Sequence, residues 1–109
     1  MIIIEYNLFT GHPSQIESTL KRSIAQYISN NKLIKIGITN NVDNRAKQHY
    51  YKNISWKKMV VLYETTSLNY VSQIESNLID FFWDSVDNEI GGGGGNFGES
   101  PYFLYILIQ

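Results

Sequence analysis

The stretch Lys35-Ile36-Gly37-Ile38-Thr39, followed by Arg45 and then His49, decides how this chain is read. An apolar strand carrying one lysine runs into a turn, and a short helix then presents Arg45 and His49. Residues four apart share a helix face, so both side chains point back toward the end of the strand. Arg grips a phosphate with a fork of donors, and Lys adds a point charge. The segment therefore points to phosphodiester chemistry.

Around that segment the rest of the chain reads as alternating strands and helices. Ile2 to Phe9 forms an apolar run closed by Gly11 and Pro13, as expected of a strand. Ser14 with Glu17 has the spacing of a capping box, and Ile16, Leu20, Ile24, Tyr27 and Ile28 follow at helical spacing to about Asn30. Leu33 to Thr39 is a second strand, and Val42 to Tyr51 is a helix with Asp43 near its positive end. Lys58 to Glu64 is a third strand. A helix follows from Leu68 to Asp84, burying Val71, Ile74, Leu78 and Phe82, and Tyr102 to Ile108 is a last strand. Trp83 reads as core, and Gly91 to Gly95 as a connecting loop. The order predicts a mixed α/β (α+β) fold: a small, mostly antiparallel sheet of three to four strands flanked by helices, as one domain over residues 1–109.

Composition narrows the class. At 43% hydrophobic and 17% charged residues the chain is an ordinary globule, and it contains no cysteine for disulfides or thiolate metal sites. No apolar run approaches the roughly 20 residues of a membrane span, and the start Met1-Ile2-Ile3-Ile4 has no basic leader. An intracellular protein, cytoplasmic or inside a host cell, is expected. The net charge is −1, but the charge is uneven. Lys32, Lys35, Arg45, Lys47, Lys52, Lys57 and Lys58 against Asp43 give one segment +6, and the remainder carries −7. That segment can attract a polyanion such as DNA.

Together, Lys35-Ile36-Gly37, the step to Arg45 and His49, Glu75 on a later helix and Asn88 after it resemble the GIY-YIG endonuclease superfamily, from about Lys32 onward. The resemblance implies a DNA-cutting, metal-dependent nuclease. Lys35-Ile36-Gly37 stands where the second name-giving motif would, with lysine in place of the usual tyrosine. No Gly-Ile-Tyr occurs for the first motif. Family members carry that tyrosine on the first strand of a short hairpin, whereas here a helix intervenes. Tyr6 is the favoured counterpart and Tyr27 the rival.

On this reading Glu75 holds one Mg²⁺ or Mn²⁺, because Mg²⁺ is content with a carboxylate, waters and phosphate oxygens. Arg45 grips a nonbridging oxygen, a contact whose loss costs roughly 3–4 kcal/mol of transition-state stabilisation. Tyr6 orients or deprotonates the attacking water, under the field of Lys35 and Arg45. His49 relays a proton or touches a phosphate. Gly37, Lys47, Tyr50, Lys52 and Asn88 are assigned to substrate, with Tyr50-Tyr51 beside the lysines as a stacking surface. Near-neutral charge predicts weak DNA binding, so a homodimer or a partner protein is expected to supply specificity. The alternative is a catalytically inactive module of the same fold that binds nucleic acid or protein. Each residue also has an ordinary reading, with Arg45 covering a strand end, His49 on the surface, Tyr6 in the core and Asn88 capping a helix.

Overall fold

A computed structural model describes residues 1–31, 33–88 and 98–109. The chain forms β1 (Ile3–Phe9), α1 (Pro13–Asn30), β2 (Ile34–Thr39), α2 (Val42–Lys52), β3 (Lys58–Thr65), α3 (Leu68–Phe81), a single turn at Trp83–Ser85, and β4 (Tyr102–Ile108). The expected glycine loop, Gly91 to Gly95, and Lys32 lie outside the described residues.

The four strands make one sheet in the order β1-β3-β4-β2. β1 runs parallel to β3, and β4 runs antiparallel to both β3 and β2. The first three strands therefore share a direction, and the last one inserts between two of them. The chain crosses the sheet from β1 to β2 and returns to β3. Crossovers strongly prefer one hand, so this reversal places α1 and α2 on opposite faces.

Burial follows from strand position. β4, Tyr-Phe-Leu-Tyr-Ile-Leu-Ile, is central and covered on both faces, which explains its unbroken apolar run. Under α1 and α3 lies the larger core, where Leu20, Ile24, Val71, Ile74 and Leu78 meet Ile34, Ile36, Ile38, Val60, Leu104 and Ile106. Under α2 lies a smaller one of Ile2, Val42, Ala46, Trp56, Met59, Val61, Tyr105 and Leu107. Because strand side chains alternate, placing the three isoleucines of β2 under α3 turns Lys35 and Gly37 toward α2.

Three local expectations need correction. α1 is capped by the His12 ring, which accepts from Ser14 N–H at 3.1 Å, and Glu17 instead binds Asn77 and Lys21. Pro13 at the first helical position fixes that earlier start, since its missing N–H costs nothing there. α3 stops at Phe81, before the predicted Asp84. Trp83 is 43% exposed, while Trp56 is the buried tryptophan.

Candidate functional site

α2 is positioned by its own first residues. Asn41 caps it, its side chain accepting from Asn44 N–H at 3.1 Å, and Thr39 Oγ1 accepts the Asn41 N–H at 3.0 Å. This fixes the turn between β2 and α2, so Arg45 and His49 hang over the sheet one turn apart. What they meet there is Tyr105 of β4. His49 Nε2 lies 2.7 Å from the Tyr105 hydroxyl, and the two rings pack edge to face with centroids 5.7 Å apart.

Gly37 is the direct neighbour of Tyr105 across the β2–β4 ladder. A Cβ at position 37 would collide with the phenol oxygen and its ring carbon. The glycine of the lysine motif is thus required by the tyrosine ring lying across it, rather than by a turn.

The site's electrostatics converge on that hydroxyl. Burial raises the Tyr105 pKa well above its usual value. Arg45 opposes the rise through its charge and as a hydrogen-bond donor, and the Glu75 charge adds to it. Arg45 on α2 and Glu75 on α3 therefore act on the same phenol, although the two helices lie on opposite faces of the sheet. Glu75 is itself 9% exposed, a buried carboxylate in the middle of α3. His49 is pushed down to about 4, first by burial and then by the charges of Lys35, Arg45 and Lys52. At neutral pH its imidazole is uncharged.

Lys35, Gly37, Arg45 and His49 are thus brought together around Tyr105 on the α2 face, whereas Glu75 stands on α3 across the sheet and acts on the same phenol through its charge. Tyr6 and Tyr27 are not part of this group. Tyr6 is 57% exposed on the edge strand β1, in the same cross-sheet row as Val61, Tyr105 and Gly37. Two strand spacings of about 4.8 Å separate it from Tyr105. Tyr27 packs against the core under α1. Asn88 serves the sheet instead, accepting from Ile36 N–H at 3.1 Å and donating to Ile36 C=O at 3.0 Å. With Asp87 N–H donating to Ile34 C=O, it covers the outer edge of β2. Lys47 and Lys52 are exposed and Tyr50 is half-buried on α2, beside the 81%-exposed Tyr51.

The residue that sequence reasoning missed is Tyr105. A tyrosine inside Phe-Leu-Tyr-Ile-Leu reads as core, and only its register opposite Gly37 would have marked it. Among the described residues no three acidic, histidine or cysteine side chains cluster as a ready metal cage. Glu75 is a hard oxygen donor of the kind that suits Mg²⁺, which keeps most of its waters and takes the rest from phosphate. No helix among the described residues is long and apolar enough to cross a membrane.

Comparison with curated proteins and with solved structures gives no significant match. A family model does match, the T5orf172 domain, over residues 9–90. It spans Lys35, Gly37, Arg45, His49, Glu75 and Asn88, and it leaves out both Tyr6 and Tyr105. The match covers most of the chain, and on it the protein belongs to the T5orf172 domain family, a nuclease-related family.

Proposed function

We propose that the chain is a metal-dependent endonuclease of the GIY-YIG type that hydrolyses DNA phosphodiester bonds. The observation that carries this reading is the Tyr105 hydroxyl, hydrogen-bonded to His49 and Arg45 above Gly37. The antiparallel pair expected ahead of the arginine helix is supplied by β4 and β2. Tyr105 thereby stands where Tyr6 was expected, as a residue that positions others and not one that handles the attacking water.

The chemistry follows from the protonation states. Tyr105 is almost fully buried and stays protonated, so it serves as a positioning residue for His49 and Arg45. His49 is neutral near pH 7 and is the base available to an attacking water. In the tautomer that donates Nε2–H to the phenol oxygen, Nδ1 keeps its lone pair for the water's proton. The arriving phosphodiester offsets the positive field of Lys35, Arg45 and Lys52, which makes His49 more basic when substrate is bound. Arg45 grips a nonbridging oxygen and neutralises the charge that grows on the phosphorane. Glu75 would hold Mg²⁺, which when bound stabilises the departing oxygen. Lys47, Lys52, Tyr50 and Tyr51 on α2 offer backbone and base contacts along one side.

Plasmid DNA incubated with the protein and Mg²⁺ or Mn²⁺ tests the reading. Nicking or linearisation is expected, abolished by EDTA and reduced by Arg45→Ala and Glu75→Ala at least a hundredfold. Tyr105→Phe should slow turnover less than His49→Ala, because it removes an orienting hydroxyl and not the base. Equal cleavage by all variants, or none by the wild type, would sink it. Salt-sensitive DNA binding without cleavage would instead favour the inactive-module reading.

A further inference from the structure

The two edges of the sheet are treated differently. β2 is covered by Asp87 and Asn88, which occupy the backbone groups of Ile34 and Ile36. On β1, the Ile3 N–H donates inward to Lys57 C=O. In a parallel ladder alternate residues face the neighbour, so Ile3 and Glu5 face β3 while Ile4 and Tyr6 turn their N–H and C=O outward. Among the described residues nothing takes up those outward groups. Of the usual guards the edge keeps only the ladder shift between Tyr6 and Phe9. It holds no proline, and its one charge, Glu5, is already paired with Lys58 at 3.1 Å.

Its side chains are as unusual as its backbone. Met1, Ile3, Tyr6 and Leu8 are 90%, 63%, 57% and 40% exposed, half of the large apolar side chains that stand in solvent among the described residues. Ile2 and Ile4 face the α2 side and Phe9 the α1 side, so alternation carries through the ladder shift between Tyr6 and Phe9. Ile4, Tyr6 and Leu8 therefore form one row. Beside Ile4 a groove of about 300 Å³ runs between β1 and α2, lined by Met1, Ile2, Ala46, Tyr50 and Tyr51.

We infer that β1 is the interface of a two-fold homodimer, in which β1 pairs antiparallel with β1 of a second copy about Tyr6. The strand is complementary to itself in that register. Tyr6 meets Tyr6 and Ile4 meets Leu8, with outward backbone groups matching at Tyr6. Ile3 meets Phe9 on the other face. Glu5 falls opposite Asn7, so no like charges oppose each other. The second copy's Leu8, next to Ile4, covers the groove. A two-fold contact repeats each pair, which is how a short strand accumulates enough contact to associate. The inference is independent of any nuclease activity.

Sedimentation and light scattering of the full chain, from low micromolar to several hundred micromolar, test it. A species of twice the 12.6 kDa chain mass is expected. Asn7→Glu places a carboxylate against Glu5 twice and should weaken the dimer roughly fivefold. Asn7→Lys should tighten it by a similar factor, and high salt should shrink both effects. Tyr6→Pro removes an outward N–H and spares the β3 ladder, so it should give a monomer with an unchanged circular dichroism spectrum. Should Tyr6→Pro fail to fold, the opposed responses of the two Asn7 variants still decide. A monomer at every concentration overturns the proposal, as does a dimer indifferent to both Asn7 substitutions.

Discussion

At the level of single residues, the site is organised by what Gly37 lacks. The Tyr105 ring lies where a side chain at position 37 would be, so Gly37→Ala must move a buried tyrosine. Overpacking of that kind costs about 1–3 kcal/mol. Thermal unfolding should show the loss, and DNA cleavage should fall further than stability does, because His49 loses its partner. His49 makes a second, pH-dependent prediction. Its pKa falls from 6.5 in the unfolded chain to about 4 in the folded one. Between those values the unfolded state binds the extra proton, so this contribution is complete above pH 6.5 and drains away as pH falls toward 4. Allowing for screening of a part-exposed ring, the loss is about 1–2 kcal/mol. Denaturant titrations at pH 7 and pH 4.5 should show it, and a His49→Gln variant should lose less on the same acid shift.

Among the elements, β2 carries the motif and depends on a residue far along the chain. Asn88 answers both backbone groups of Ile36, standing in for an absent strand. Asn88→Ala leaves an N–H and a C=O of a half-covered strand to find water, at a cost of about 1–3 kcal/mol. Amide exchange at Ile36 should accelerate well beyond the change at Ile106 in the neighbouring strand. Comparable acceleration at both would mean global destabilisation, with no special role for the clamp. α2 was readable without tertiary information: Asp43 suits its start, and the four-residue step sets Arg45 and His49 on one face.

For the molecule as a unit, the consequential feature is that β4 is last in sequence and central in space. It bonds to β3 along one side and β2 along the other, and it supplies Leu104, Ile106 and Ile108 to one core and Tyr105 and Leu107 to the other. The family match ends before it begins. A chain truncated after residue 100 should therefore show no cooperative unfolding transition by calorimetry, although the matched region is intact. A sharp transition near that of the full chain would contradict this account.

The order of residues along the chain was enough for the local chemistry. Apolar periodicity and turn residues set the order and type of all seven main elements, nearly to their ends. Helical spacing joined Arg45 to His49, and the burial of Glu75 followed from its place beside Ile74 on the apolar side of α3. Which strands are neighbours emerged only on folding, because backbone pairing leaves no mark on a run such as β4, which is apolar on both faces. Folding therefore also set Tyr105, and not Tyr6, beside His49, since one lies across Gly37 and the other on an open edge. The same pairing sets one buried hydroxyl on a hydrogen bond from Arg45 and in the field of Glu75. No spacing along the chain encodes that, because it arises only when a strand from the end of the sequence enters the middle of the sheet.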